Sequence, residues 1–119
     1  MKVRIKKLNE NAIIPTYGTS YSAGADLYTI DGPVTIEPHA TMLLHTGLAV
    51  EIPEGYCGLI FARSGLASKR GLAPANKVGV IDADYRGELM VALHNHTDKP
   101  KTVEQGERIA RIKRLRAEK

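Results

Sequence analysis

Two short segments combine residue types that could bind a phosphate ester. In the first, residues 23–28, Asp26 follows a glycine and an alanine at the start of a strand-like run. Its carboxylate could hold a hydrated metal ion, although an aspartate close after glycine is more often a turn residue. The second segment contains Arg63, Ser64 and Gly65 in succession. A guanidinium, a hydroxyl and a glycine that admits close approach suit a cage for phosphate oxygens.

A third segment, residues 76–88, could receive a nucleobase. Two strand-like arms flank the polar turn 82–87, and this pattern predicts a β-hairpin. Such a hairpin can present backbone groups to a planar base, and Gly79 would let the backbone come close. Tyr85 could stack on a sugar or base, and Asp82 could orient a water molecule. Taken alone, the segment is more typical of an ordinary hairpin with turn aspartates and an amphipathic tyrosine.

Several common functional motifs are not in the sequence. It contains no Walker P-loop, no Rossmann glycine fingerprint and no cysteine or histidine cluster with zinc spacing. His94 and His96 share a strand face by their spacing, but they are better explained as strand-end residues than as metal ligands. The single cysteine, Cys57, excludes an internal disulfide, suits a reducing compartment and is expected to be a buried, inert thiol. No signal peptide or membrane-spanning stretch is present, so we expect a cytoplasmic protein.

The elements that position these residues are predicted to be short strands. The 119 residues fit one domain, and 43% hydrophobic with 25% charged residues is ordinary for a globular protein. Glycines and prolines divide the chain into short runs, which predict a sandwich, jelly roll or barrel. The strands are expected at residues 2–8, 25–30, 34–36, 41–50, 56–61, 77–81, 89–95 and 101–103.

One segment, residues 64–71, departs from the strand pattern and predicts a short helix. Ser64 is a candidate N-cap, two basic residues fall near the end, and Gly71 can close the last turn. Unpaired backbone N–H groups at the start would lie beside Arg63 and could bind an anion. An ordinary capped surface helix would explain the same pattern.

The positive charge is concentrated at one end of the chain. The net charge is +4, but residues 108–119 carry six basic groups and one acidic group, which gives +5, and the first 107 residues total −1. A basic end can contact nucleic acid or anionic lipid. A solvated charged terminus explains it better, so we expect neither a nucleic-acid nor a membrane partner.

The three segments occur in order and, with residues 106–110, resemble the first four motifs of the trimeric dUTPase family. Members of that family hydrolyse dUTP to dUMP and pyrophosphate. The resemblance covers nearly the whole chain up to Ala110, and the second and third motifs together are highly specific. It implies an all-β, jelly-roll-like β-barrel of the β-clip type, assembled as a homotrimer with active sites at subunit interfaces. Residues 1–110 would form this domain, and 111–119 an atypical basic tail.

The resemblance implies a deoxyuridine pocket in the third segment. Tyr85 would pack on the deoxyribose and exclude a 2′-hydroxyl. The close fit around the base would leave no room for the methyl group of thymine. The uracil edge would be read, and the pocket lined, by Asn76, Gly79, Val80, Ile81, Asp82 and Met90.

The resemblance also implies the reaction. Asp82 would act as the catalytic residue by orienting or deprotonating a water molecule that attacks the α-phosphorus, and pyrophosphate would leave. Arg63, Ser64 and Gly65 of a neighbouring subunit would hold the phosphates. Asp26 would bind the cofactor Mg²⁺ through water.

The sequence departs from the family pattern after Ala110. Arg111 stands where the family normally has glutamine, and basic residues replace the apolar strand that usually follows, so no such strand is expected. The fifth motif, a glycine-rich arm that closes over the nucleotide, is also missing. Because a closing arm excludes water and completes the phosphate cage, we expect weaker nucleotide binding and reduced turnover.

Two alternatives to an active dUTPase remain open at this point. The chain could be a dUTPase-like module that binds a nucleotide or a protein with little turnover, because the closing arm is missing. It could also belong to the related dCTP deaminases, but residues 76–85 match the dUTPase version of the pocket better.

Overall fold

The computed structural model describes residues 2–117 and contains ten β-strands and one short helix in that range. The predicted all-β class is therefore confirmed. The elements are β1 (Arg4–Lys7), β2 (Ala25–Tyr28), β3 (Val34–Ile36), β4 (Thr41–Glu51), β5 (Tyr56–Phe61), α1 (Ser64–Arg70), β6 (Leu72–Pro74), β7 (Gly79–Ile81), β8 (Glu88–Asn95), β9 (Lys101–Val103) and β10 (Arg108–Arg116).

Two four-stranded antiparallel sheets form the body of the molecule. One has the strand order β1-β4-β8-β6, the other β2-β10-β5-β7, and β3 pairs with β9 in a small third sheet. Both large sheets contribute to one apolar core, which includes the fully buried Leu27 of β2, Leu48 of β4, Leu93 of β8 and Ile109 of β10. Buried and more exposed residues alternate along β8, as expected for a strand with one face in a core. The architecture is the expected jelly-roll-like barrel.

The third segment does not form a β-hairpin, and this prediction is wrong. β7 pairs with β5 in one sheet, and β8 lies between β4 and β6 in the other. Among residues 2–117 the structure shows no pairing between β7 and β8, and β6 occupies its edge of β8 only at Leu93–Asn95. Residues 82–87 instead cross from one sheet to the other, and this crossing opens a space between β7 and β8.

The basic segment near the C-terminus is a strand, which corrects the expectation that no strand follows Ala110. β10 lies in the middle of its sheet, antiparallel to both β2 and β5, and its pairing with β5 runs from Arg111 to Arg116. Long basic side chains are tolerated because this part of the strand is mostly exposed, and the Arg114 guanidinium lies 5.7 Å from the centre of the Tyr56 ring. The predicted tail 111–119 is therefore part of the barrel through Arg116; residues 118–119 lie outside the described residues.

Helix α1 is confirmed, but its predicted N-cap is wrong. Ser64 is the first helical residue, Arg63 occupies the N-cap position, and no side chain caps the helix start. At the other end Gly71 has a φ of 67° and donates its N–H to the carbonyl groups of Ala67 and Leu66, as predicted for a closing glycine. No helix among residues 2–117 is long and apolar enough to cross a membrane.

Candidate active site

The residues predicted to hold a nucleoside gather around the space between β7 and β8. A cavity of about 280 Å³, called here the β7–β8 cavity, is lined by Leu43, Asn76, Val80, Ile81, Asp82, Tyr85, Glu88, Met90 and Ala92. Gly79 lies in an adjoining cavity of about 130 Å³ that shares Asn76, Val80, Ile81, Met90 and Ala92. The structure thus places the predicted pocket residues, all within residues 76–90, around two adjoining cavities.

The walls of the β7–β8 cavity expose apolar side chains. Val80 is 60% exposed, Leu43 51% and Met90 39%. Three large apolar residues around one polar-edged cavity are typical of a surface that a ligand covers. The flat face of a planar ligand such as a nucleobase could cover them.

A tight turn before β7 places the Asn76 side chain beside the β7 backbone. Lys77 has a φ of 68°, and the Val78 N–H bonds to the Asn76 carbonyl at 2.8 Å. A Cβ atom on Gly79 would lie only 3.2 Å from Asn76 Nδ2. Glycine at position 79 therefore lets the Asn76 amide approach the start of β7, where both could face a base.

The turn after β7 holds Tyr85 at the edge of the cavity. Its backbone N–H bonds to the Asp82 carbonyl at 3.1 Å, and its phenolic hydroxyl donates to the Glu88 carbonyl at 2.8 Å. A Cβ atom on Gly87 would stand 2.5 Å from the same hydroxyl oxygen. Gly87 was not identified by the sequence analysis, because nothing in the sequence shows that the ring folds back over it.

The Asp82 carboxylate is available to a ligand or water. The residue is exposed and lines the β7–β8 cavity. Within residues 2–117 the structure records no hydrogen bond or ion pair to its side-chain oxygens. A carboxylate with unused lone pairs accepts hydrogen bonds from water, as a base or orienting group requires.

Two of the three predicted phosphate-binding residues, Arg63 and Gly65, line a second cavity. This space of about 370 Å³, called here the arginine cavity, is lined by Tyr28, Arg63, Gly65, Leu66, Lys69, Arg70, Gly106, Glu107 and Arg108. Arg70 is paired with Glu107 at 2.7 Å. The predicted Ser64 is exposed at the helix start but is not among the lining residues.

Asp26 lies at the centre of a cluster of arginines, called here the Asp26 cluster (Asp26, Arg63, Arg108 and Arg111). Its side chain is 2% exposed. Oδ1 accepts hydrogen bonds from Arg63 Nε at 3.2 Å and Arg111 Nε at 3.3 Å, and Oδ2 lies 3.8 Å from Arg108 NH1. A buried carboxylate requires such partners, because an unpaired buried charge is strongly unfavourable.

The sequence did not indicate Arg108 and Arg111 as partners of Asp26. Residues three apart in a regular strand point to opposite faces. The β10–β2 register shifts between Arg108 and Ala110, however, and this irregularity brings both arginines to Asp26. The one signal in the sequence was the unusual arginine at position 111.

The Asp26 cluster does not fit the predicted water-mediated Mg²⁺ contact. Among residues 2–117 no group of three histidine, cysteine, aspartate or glutamate side chains could hold a metal ion. Both oxygens of the Asp26 carboxylate already face guanidinium groups, and the three positive charges outnumber its single negative charge. A cation beside this carboxylate would meet a net positive surrounding.

The two cavities share no lining residue. Asp82, Tyr85 and Asn76 surround one, and Arg63 and Gly65 surround the other. Within one chain, the residues predicted to bind the nucleoside and those predicted to bind the phosphates therefore lie around different cavities.

Two histidines outside both cavities have shifted pKa values. A hydrogen bond of 2.9 Å from His45 Nδ1 to Asp31 Oδ2 raises the pKa of His45, and Glu88 adds to this in the same direction. Burial lowers the pKa of His94, with a further lowering from the nearby His96, whose ring centre lies 4.6 Å away. His94 also bonds through Nδ1 to Thr41 Oγ1 at 2.8 Å across the β4–β8 pair.

Comparisons with known proteins agree with this geometry. The family model described as dUTPase matches residues 10–117. The deoxyuridine 5′-triphosphate nucleotidohydrolase of Hydrogenobaculum sp. (strain Y04AAS1) is 49% identical over 112 residues, covering 94% of this chain and 78% of that protein. The corresponding protein of Desulfitobacterium hafniense (strain DSM 10664 / DCB-2) is 47% identical over 116 residues, covering 94% and 77%.

Solved structures show the same fold. A variant of the Staphylococcus bacteriophage 80alpha dUTPase with dUpNHpp superimposes with a TM-score of 0.91 at 29% identity, covering 99% of this chain and 84% of that chain. A variant of the dUTPase from phage phi11 of S. aureus, in which a structural Mg(II) ion is coordinated, has a TM-score of 0.92 at 26% identity, covering 100% and 93%. The match of fold, motifs and sequence over almost the full chain means that this protein belongs to the dUTPase family.

Proposed function

We propose that this protein hydrolyses dUTP to dUMP and pyrophosphate as a homotrimer. The observation that carries the proposal is the β7–β8 cavity, where Asn76, Asp82 and Tyr85 meet in a chain of the dUTPase family. The relatives that cover most of this chain are named as deoxyuridine 5′-triphosphate nucleotidohydrolases.

The β7–β8 cavity receives deoxyuridine in this proposal. The uracil ring covers the exposed apolar surface of Val80 and Met90, and its polar edge meets the Asn76 amide and the backbone around Gly79 and Ile81. Tyr85 packs on the sugar. A ring held at the sugar leaves no space for a 2′-hydroxyl, which would make the site selective for deoxyribose.

Arg63, Ser64 and Gly65 of a neighbouring subunit hold the phosphates. This assignment is supported by the separation of the two cavities within one chain, since a nucleotide bound by one chain alone would leave one of them unused. Bringing an arginine cavity of one copy against the β7–β8 cavity of the next would complete each site. In a closed ring of three copies every site is completed in the same way.

Asp82 acts on the attacking water. The water donates a hydrogen bond to the carboxylate, its oxygen attacks the α-phosphorus, and the bond to the bridging oxygen of pyrophosphate breaks with its electron pair. The water proton passes to the Asp82 carboxylate. Phosphoryl transfer depends on positioning and on neutralising the charge of the leaving group, and guanidinium groups supply that positive charge.

The participation of Mg²⁺ stays a prediction. The phi11 relative has a structural Mg(II) ion, but the carboxylate assigned to the ion here, Asp26, already faces three guanidinium groups. The proposed hydrolysis of dUTP is therefore described with groups of this protein alone. The expected cytoplasmic location also stays a prediction.

Substrate selectivity tests the proposed function. Purified protein is incubated with dUTP, dCTP, dTTP or UTP, and released pyrophosphate is measured. We expect release from dUTP alone. Binding of dUpNHpp without release from dUTP would instead indicate a binding module, ammonia release from dCTP would indicate a deaminase, and comparable hydrolysis of UTP would refute the role given to Tyr85.

A further inference from the structure

We propose that Arg111 takes the place of a divalent cation in this protein, so that the Asp26 cluster binds a nucleoside triphosphate without metal. This inference rests on the proposed function and specifies how the phosphate side of the same site works.

The arginines of the Asp26 cluster have N–H groups that are not used in the contacts with Asp26. Arg63 and Arg111 both contact Asp26 Oδ1 through Nε, and a guanidinium has further N–H groups at its outer end. In the part of the chain that the structure describes, neither guanidinium has another recorded hydrogen bond. Their side chains are 20% and 40% exposed, and that of Arg108 is 50% exposed, so each can reach an anion in solvent.

The charge of the cluster equals that of one divalent ion. Three guanidinium groups and one carboxylate sum to +2 (three minus one). A triphosphate, which is strongly negative, is attracted to this arrangement, and planar guanidinium groups bind phosphate oxygens in pairs. A small cation is repelled by it. Asp26 holds the arginines in place instead of holding a metal.

Arg111 is the residue that decides this preference. It stands opposite Asp26 in the β10–β2 register. A Cβ atom built on Gly24 would lie 3.4 Å from Arg111 Cβ, so the β2 side packs closely against the arginine stem. An uncharged side chain at this position would lower the cluster charge to +1, and the cluster would then repel a hydrated cation less.

The test measures binding of dUpNHpp by isothermal titration calorimetry, with either EDTA or excess Mg²⁺ in the buffer. For the unchanged protein we expect dissociation constants in the two buffers to agree within about threefold. Arg111→Gln should bind about tenfold more weakly in EDTA, because one charge-assisted contact is lost, and should recover affinity in Mg²⁺. Arg111→Lys keeps the charge and should still bind in EDTA.

Lys113→Gln is the matched control, because it removes the same charge from an exposed position two residues farther along β10. It should leave both dissociation constants unchanged. Binding by the unchanged protein only when Mg²⁺ is present would overturn the inference and leave the proposed function intact. If Arg111→Gln and Lys113→Gln lost the same affinity for dUpNHpp, the effect of Arg111 would be that of any nearby positive charge. That result would also overturn the inference. Absence of dUpNHpp binding in both buffers would refute the proposed function and this inference together.

Discussion

Tyr85 donates its phenolic hydrogen to the backbone carbonyl of Glu88 at 2.8 Å, and this bond fixes the ring at the edge of the β7–β8 cavity. The ring lies directly over Gly87, whose missing side chain makes room for it. Tyr85 is 38% exposed, so the bond rather than tight burial holds its position. The position of the Tyr85 ring, which we propose packs on the sugar, can therefore be disturbed by a substitution at Gly87 that leaves the ring itself unaltered.

Gly87→Ala should weaken dUTP binding through Tyr85. The added Cβ would lie 2.5 Å from the tyrosine oxygen and 2.7 Å from Cζ, so the ring must move and its bond to Glu88 is lost. Loss of one neutral hydrogen bond is worth about 1 kcal/mol, so we expect KM for dUTP to rise about fivefold with a smaller change in kcat. Gly18→Ala is the control, since its Cβ would meet only Ser22 Oγ at 3.6 Å. An unchanged KM in Gly87→Ala would show that the ring position does not matter for binding.

Asp82→Asn should lose turnover and keep binding. The amide retains the size of the carboxylate but cannot accept the water proton, and a general base contributes on the order of 10²–10⁴ in rate. We expect kcat to fall by that order, while the dissociation constant of dUpNHpp changes by less than about threefold. Asp84→Asn, an exposed aspartate in the same turn, serves as the control and should retain activity. Equal turnover of the Asp82→Asn variant and the unchanged protein would remove Asp82 from the mechanism.

Mixing two inactive variants should restore activity if each site spans two subunits. Arg63→Gln removes the phosphate side and Asp82→Asn the water-activating side, so neither homotrimer has a complete site. After subunit exchange, a site whose two halves come from different chains is intact in about one quarter of cases. We expect mixed trimers, verified by native mass spectrometry, to approach that fraction of normal activity. A variant carrying both substitutions, mixed with Asp82→Asn, is the control and should stay inactive; persistent inactivity in the first mixture would place both halves on one chain.

The sequence predicted the all-β class and the approximate strand positions from local signals. Alternating apolar residues mark strands, and glycines and prolines mark turns. The residues assigned to the nucleoside pocket came from the family resemblance and not from such signals. The structure places Asn76, Asp82 and Tyr85 around the β7–β8 cavity, and their roles in binding and catalysis stay predictions.

The errors concern pairing between distant strands. The segment after Ala110 has too much charge to be recognised as a strand, yet β5 and β2 supply hydrogen-bond partners on both of its sides. Tertiary pairing overrides local preference in such a case. The Asp26 cluster could not be predicted from the sequence for the same reason. The register shift that brings Arg108 and Arg111 to Asp26 depends on the pairing of β10 with β2. Likewise, the hairpin prediction was wrong because β7 pairs with β5, in the other sheet.

The His45–Asp31 pair should make stability fall as pH rises above the usual histidine pKa. The Asp31 hydrogen bond raises the pKa of His45 in the folded protein above the usual value of about 6.5. A raised pKa means that the stabilisation is fully present below that usual value and is lost as pH rises through the folded-state pKa. Because the His45 side chain is 42% exposed, the effect should stay below about 1 kcal/mol. Denaturant unfolding of the unchanged protein and His45→Gln across this range should therefore give free energies of unfolding that differ most at low pH and converge as pH rises. A constant difference between His45→Gln and the unchanged protein at every pH would contradict the assignment.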